Sequence, residues 1–351
     1  MIKKGIAAIV GALLLGGVGL WTFGSQSSGS SPEIYFKVSV GELPRHISAR
    51  LEQEKVISNQ RLFFLYGRLT GAWGALKAGE YALSGEQSHR EILDLLTSGI
   101  SAAMKVTIPE GDNLFQVAAR LEDAGLVDAS SFIQLCQDRT FITSLGFHEP
   151  EITRLEGYLY PETYFFPRDS DGSTIATKMV QAALALWDDK RSARATELGL
   201  SRHQVFTLAS MIEKETGASS ERKLISSVFH NRLKKKMRLQ SDPTTIYGIW
   251  ERYDGNIHRS DLLTYTPYNT YKIPALPIGP IANPGIEALD AALYPETSSY
   301  LYFVSRNDGT HVFSSSLKEH EAAVRAFQLN PKARAGKSWR DLNKKPQTSK
   351  K

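Results

Sequence analysis

Apolar positions recur along the chain with periods that mark out its elements. Leu43, Ile47 and Leu51 fall four residues apart, and Leu114, Val117 and Leu121 fall three and four apart, again a helical period. Each set follows a short apolar stretch, 35–40 and 104–108, that predicts a strand, with a Gly-containing turn between. The similarity is a repeat at an offset of 70 residues: Gly41, Ile47, Arg50-Leu51-Glu52, Ile57, Leu62-Phe63 and Leu65 return as Gly111, Val117, Arg120-Leu121-Glu122, Val127, Phe132-Ile133 and Leu135. Between the copies, 76–83 predicts a turn and a strand, and 90–96 a helix. Two small α+β modules within 32–138 fit this pattern. They could be packing alone or a device for gripping a polymer.

A second body begins near 141. The stretch 155–167 is dense in aromatic residues, and its two prolines bar a long helix. A helix is predicted over 173–188. Ser201 and Gln204 form a capping-box pattern that opens a helix from 202 to about 216, with Gly217 ending it. Ser219 or Ser220 then opens 221–236. Asp242-Pro243 and Asn283-Pro284 each read as an N-cap followed by proline at the first helical position. The Pro-rich stretch 264–280 reads as loop. A hairpin is predicted from 300–304 to 311–314 across Asn307-Asp308-Gly309, followed by a helix over 317–329.

The ends differ from this body. Lys3 and Lys4 precede an almost uncharged run over 5–24, long enough to cross a bilayer core. A cytoplasmic stub (1–4), an uncleaved anchor (5–24) and a flexible tether (25–31) are expected, which would place the rest of the chain outside the cytoplasm. At the other end, 331–351 holds eight Lys and Arg against Asp341, so this basic tail carries more than the whole formal net charge of +5. The folded body is therefore slightly acidic, and nucleic acid is not an expected partner. Mean hydropathy is −0.26, which excludes a polytopic membrane protein. Cys136 stands alone and excludes a disulfide scaffold.

The available chemistry narrows by elimination. The eight His residues are scattered, with no His-Glu-x-x-His, so no metal is expected. No Gly-x-Ser-x-Gly, no phosphate loop and no penicillin-binding-type motif set occurs. Carboxylates remain. On the helix 202–216, Val205, Leu208, Ala209 and Ile212 form an apolar face, Lys214 points the opposite way, and Glu213 and Glu215 fall on the borders. A border carboxyl that is partly desolvated titrates high enough to act as a general acid near neutrality. Tyr247, Tyr265, Tyr268, Asn269 and Tyr271 follow, residue types that stack on and hydrogen-bond sugars and also serve as ordinary packing.

Several ordered motifs carry a resemblance. They are Glu156-Gly157-Tyr158-Leu159-Tyr160-Pro161-Glu162-Thr163-Tyr164, 208–216 (LASMIEKET), 228–233 (VFHNRL), 237–248 (MRLQSDPTTIYG), 268–271 (YNTY), 276–285 (LPIGPIANPG) and 300–304 (YLYFV). Over about 32–329 the chain resembles the endolytic murein transglycosylases of the YceG-like family (MltG type). The resemblance implies an α+β protein with an N-terminal membrane anchor, a LysM-like peptidoglycan-binding module over 32–105, a second α+β repeat or connector over 106–140, a mostly helical catalytic domain over 141–330 and a disordered basic tail. It implies a single-pass inner-membrane protein with its body in the periplasm or outside the cell. The reaction implied is non-hydrolytic cleavage between N-acetylmuramic acid and N-acetylglucosamine within peptidoglycan strands, without cofactor, leaving 1,6-anhydro ends and terminating nascent strands. Peptidoglycan synthases or division proteins are the implied partners.

Periodicity does not choose between Glu213 and Glu215. The acid of lysozyme-like transglycosylases commonly stands at a helix end before Ser, which Glu215-Thr216 fits better. Glu215 is therefore the expected catalytic residue, with Gln240, Asp242, Asn269 and Tyr271 lining the groove; Asp242 is equally readable as an N-cap. Two other functions stay open: a catalytically idle wall-binding or division-scaffold protein, and a hydrolytic muramidase.

Overall fold

The computed structural model describes residues 19, 21–99, 103–168 and 170–330. Most of the expected span over 5–24, and the whole basic tail, lie outside them. Among the described residues no helix is long and apolar enough to cross a membrane. The fold is α+β: helices with small two-stranded antiparallel sheets. The chain divides into two compact units, Met1–Lys105 with Phe165–Ser170, and Val106–Tyr164 with Asp171–Lys351. The second repeat copy, 106–140, thus belongs to the same unit as the body that follows it.

In the smaller unit, Ile34–Val38 pairs antiparallel with Gly79–Leu83, in a register that sets Ile34 against Leu83. Alternation puts Phe36 and Val38 inward from one strand and Tyr81 and Leu83 from the other. These close on Ile47 and Leu51 of the helix Pro44–Gln53, Phe63 of Gln60–Leu69, and Ile92 and Leu96 of His89–Ser98. The expected tether is instead bonded into this unit. Ser28 is buried, its Oγ hydrogen-bonding to the carbonyls of Val56 at 2.8 Å and Gln87 at 2.7 Å, and Ser30 and Ser31 donate their N–H groups to Lys55. Small polar side chains suit a free linker, but they also let a strand-like segment lie against backbone, and here that second use prevails.

The repeat is a repeat of structure. Pro44–Gln53 and Leu114–Asp123 are both ten-residue helices, 70 positions apart, each entered through a glycine at positive φ, Gly41 at 77° and Gly111 at 81°. Even the ion pairs correspond, Arg50 with Glu42 and Arg120 with Asp112.

The larger unit is built around Arg202–Glu215. Nine of its fourteen residues are buried, so this helix is enclosed rather than amphipathic. It packs on Ile286–Leu293 and on Arg222–Lys234. The hairpin Tyr302–Ser305 with His311–Ser314 and the helix Leu317–Phe327 complete this end. A helix at Asp189–Leu198, capped by Asp188, has no counterpart in the apolar pattern, because its own face is almost entirely polar.

Several helix ends differ from expectation. Arg202–Glu215 ends in extended backbone at Thr216, not through a left-handed glycine. Gly217 is needed for space: a Cβ there would stand 2.5 Å from the carbonyl oxygen of Gly309. No serine side chain caps Arg222–Lys234, which continues from a 3-10 turn at Ser219–Glu221. Neither Asp242 nor Asn283 is an N-cap; Ser241 and Gly285 hold those positions. Asn283 is fully buried and works as a cross-brace. Its amide donates to the carbonyl of Asp112 at 2.9 Å, and its oxygen accepts from the N–H of Leu159 at 2.9 Å. Asn283→Ala should strand the N–H of Leu159, while the carbonyl of Asp112 keeps its bond from the backbone N–H of residue 283, and cost about 1–3 kcal/mol, the usual worth of one unmade buried bond, measurable by urea unfolding; a loss below ~0.5 kcal/mol would show that the brace contributes nothing.

Candidate active site

The enclosed helix brings its last turn to a polar region. Thr207 and Ser210 satisfy the interior by donating to carbonyls one turn back, and Ser210 Oγ also accepts from the N–H of Ile281 at 3.0 Å. In the last turn the three ionisable residues part company. Lys214 Nζ donates to the carbonyl of Gly111 at 3.0 Å. Glu213 is buried against Arg222, 3.5 Å away, and accepts from the N–H of Gly285 at 3.1 Å. Burial raises its pKa, and those two partners offset part of the rise.

Among the described residues, no such cation is bonded to Glu215. Its Oε1 accepts from Ser241 Oγ at 2.6 Å. Desolvation by burial is the main cause that pushes its carboxyl up to about 7, with the charge of Asp242 adding to the rise and Ser241 and Arg232 opposing it. Its place at the helix C-terminus acts in the same direction, since the exposed carbonyl ends disfavour a negative charge. Ser241 is the N-cap of Asp242–Gly248, yet its hydroxyl caps nothing: it is diverted to the carboxyl.

Gln240 sets up that diversion. It is a non-glycine residue at φ 50°, a conformation that costs on the order of 1 kcal/mol, and its N–H bonds the carbonyl of Thr270 at 3.2 Å. Ser241 N–H bonds Thr270 Oγ1 at 3.0 Å, and Thr244 bridges to the same hydroxyl at 2.8 Å. Arg232 ties this segment down from below, donating to the carbonyls of Leu239 and Leu301.

The expected groove residues separate. Gln240 and Asp242 are exposed, and Tyr271 is half-buried with its O–H donating to Asp242 at 2.7 Å. These three gather beside Ser241 and Glu215. Asn269 does not line the groove. It is fully buried, its amide donates to the carbonyls of Asp261, Leu262 and Thr264, and its oxygen accepts from Thr245 Oγ1 and the N–H of Tyr271. An amide in a Tyr-rich loop looks like a sugar ligand in sequence; here every polar atom is used to fold the loop that carries Tyr271. Ser241 carried no signal as a functional residue, since a serine before Asp-Pro is an ordinary helix start.

Glu156 is a third buried carboxyl, also raised to about 7 by burial. Both its oxygens accept from the N–H of Leu114, the first residue of Leu114–Asp123, so its role is to close that helix. Among the described residues no group of His, Cys, Asp and Glu is arranged to hold a metal ion.

The class is thus an α+β chain whose helical unit presents one partly desolvated glutamate, at the end of an enclosed helix, to a rim of exposed polar residues. The YceG-like family model matches residues 36–326, and the chain belongs to that family. It is similar to proteins named endolytic murein transglycosylase from Bacillus subtilis (strain 168), 34% identical over 85% of this chain and 86% of that one, and from Streptococcus pneumoniae (strain D39), 28% identical over 83% of this chain and 58% of the longer relative. The crystal structure of a YceG-like protein from Listeria monocytogenes is 37% identical, covers 84% of this chain and 99% of that one, and superposes with a TM-score of 0.57.

Ser241→Ala tests how the acid is tuned. The hydroxyl's hydrogen bond favours the ionised carboxylate, so removing it raises the Glu215 pKa further. The alkaline limb of a pH–rate profile should move upward by up to about one pH unit; a shift to lower pH would contradict the assignment.

Proposed function

We propose that the protein is an endolytic peptidoglycan lytic transglycosylase in which Glu215 performs both proton transfers. The supporting observation is a desolvated carboxyl at the end of an enclosed helix, pushed up to about 7 by burial, with a hydroxyl as its hydrogen-bond donor. Near neutral pH such a group is protonated in a substantial fraction of molecules, as a general acid must be, and becomes a competent base once it has given up its proton. Glu215 protonates the glycosidic oxygen between N-acetylmuramic acid and N-acetylglucosamine as that bond breaks. The carboxylate left behind stabilises the oxocarbenium-like sugar, as the charge on Asp242 does from the rim. It then takes the proton from the muramyl 6-hydroxyl, whose oxygen closes on the anomeric carbon to give a 1,6-anhydro end. Ser241 holds the carboxyl in one orientation through both steps.

Glu213 is a poorer candidate, because its charge is matched by Arg222 and its oxygens are occupied. The reading extends to the rest of the chain: the smaller unit grips glycan as a LysM-like module, the run over 5–24 anchors the chain in the plasma membrane with its body outside, and cleavage terminates strands as synthases make them. Asp242 is the observation that favours a second reading, a hydrolytic muramidase, since a second carboxylate could activate water. Products decide between these readings and a catalytically idle scaffold.

Mass spectrometry of purified glycan strands digested by the wild type should show 1,6-anhydro ends; reducing ends would mean hydrolysis, and intact strands an idle protein. Glu215→Gln should lower the rate roughly 10²–10⁴-fold or more, the usual worth of general acid–base catalysis, whereas Glu213→Gln should act mainly on stability. The reverse ranking would exchange the two roles. Stability gives an independent check. The folded pKa of Glu215 lies above its unfolded value, so its ionisation destabilises the fold as pH rises from about 4.5 to about 7. Relative to wild type, Glu215→Gln should therefore be stabilised at pH 8 compared with pH 4.5, by on the order of 2 kcal/mol; a difference that does not change with pH would contradict the shifted pKa.

A further inference from the structure

The larger unit contains a cavity of about 630 Å³ at the far end of the helix Asp242–Gly248 from the carboxyl. Its walls include Phe115, Tyr247, Trp250 and Tyr268, with Arg154 and Arg252. The rings of Phe115 and Trp250 are stacked at 5.9 Å and 14°, and Tyr247 meets Tyr268 edge-on at 4.7 Å. Arg252 is engaged by Asp261 at 2.7 Å. Arg154 has no carboxylate bonded to it among the described residues, although the charge of the buried Glu156 acts on it. Its one hydrogen bond among the described residues is a long 3.3 Å contact to the hydroxyl of Tyr247, and its buried Nε meets no acceptor. A guanidinium carries five N–H donors in a fixed fork, and a half-buried one with donors unmade is suited to a carboxylate arriving from outside.

The cavity is wired to the acid along two tracks. Asp242, beside Glu215, begins the helix whose last turn, Tyr247 and Gly248, forms the cavity wall; at 1.5 Å per residue the separation is about 8–9 Å. The neighbouring segment runs from Tyr268 on that wall to Tyr271, whose hydroxyl holds Asp242. That span is comparable to a disaccharide or a short peptide.

We propose that this cavity is a subsite for the peptide stem of the wall polymer, with Arg154 taking a stem carboxylate and the Phe115–Trp250 pair taking the stem's aliphatic part. The proposal rests on the transglycosylase reading. Glycan substituted with stems has a neutral sugar backbone, and its carboxylates lie on the peptides, so a guanidinium with unused donors within short reach of the scissile bond selects the stem over the sugar. Aromatic walls alone would suit either.

The test uses the full chain carrying Glu215→Gln, so that ligand is not consumed, and measures calorimetrically the binding of a stem-bearing tetrasaccharide and of the same compound with its stem carboxylates amidated. The free acid should bind about tenfold more tightly. Adding Arg154→Gln should erase that difference and leave the affinity of the amidated form unchanged. Equal binding of the two forms to the parent, or a difference that survives Arg154→Gln, would overturn the proposal. If Arg154→Gln lowers the melting temperature too far to be read, Arg154→Lys serves: it keeps the charge but loses the fork, and the difference should shrink at least threefold. An unchanged difference there would equally overturn the proposal. Failure of the underlying reading shows separately, as wild-type digests without 1,6-anhydro ends.

Discussion

The site depends on one constraint: a carboxyl at the end of a helix that is enclosed on nearly every side. Burial of Val205, Leu208, Ala209, Met211 and Ile212 fixes where the helix runs and so where its last turn carries Glu215. Desolvation then disfavours the ionised form, and the negative end of the helix reinforces it. What remains is to prevent the group from being neutralised too cheaply. A bonded guanidinium would do that, as Arg222 partly does for Glu213. A single serine hydroxyl orients Glu215 and offsets only part of the rise.

The three buried carboxyls show that a raised pKa alone does not define a site. Glu156 is raised as far as Glu215, yet its oxygens are taken up by the N–H of Leu114, the Asn283 amide and the Tyr247 hydroxyl, and none of its surface is exposed. Glu213 is raised and paired with Arg222. Glu215 combines the shift with partial exposure and a rim of exposed Gln240 and Asp242. The segment 240–244 achieves this by accepting a left-handed residue at Gln240 and giving up the capping hydroxyl of Ser241, two local costs offset by the Thr244 and Thr270 hydroxyl bridge.

Much of the fold could be read from period and caps. The 70-residue repeat, the capping box at Ser201 and the hairpin around Asn307-Asp308-Gly309 are local features, and local features survive folding. What failed was the assignment of polar residues whose partners are distant in sequence. Asn283 and Asp242 look like caps in sequence, but their side chains bond Leu159 and Tyr271, 124 and 29 residues away; Asn269 looks like a sugar ligand, yet its amide is spent on its own loop, on Asp261, Leu262 and Thr264. The serines at 27–31 failed for the same reason, because their acceptors lie on Lys55, Val56, Gly85 and Gln87. Periodicity left Glu213 and Glu215 equivalent; their surroundings differ, with Arg222 beside Glu213 and the Ser241 hydroxyl on Glu215.

The most direct measurement of this account is a titration of the glutamate carboxyl carbons by NMR in protein labelled at that position, with Glu215→Gln used for assignment. The account predicts a resonance with a midpoint at about 7 that is missing from the Glu215→Gln spectrum and moves to higher pH in Ser241→Ala. A Glu215 resonance with its midpoint near 4.5, the ordinary glutamate value, would contradict it.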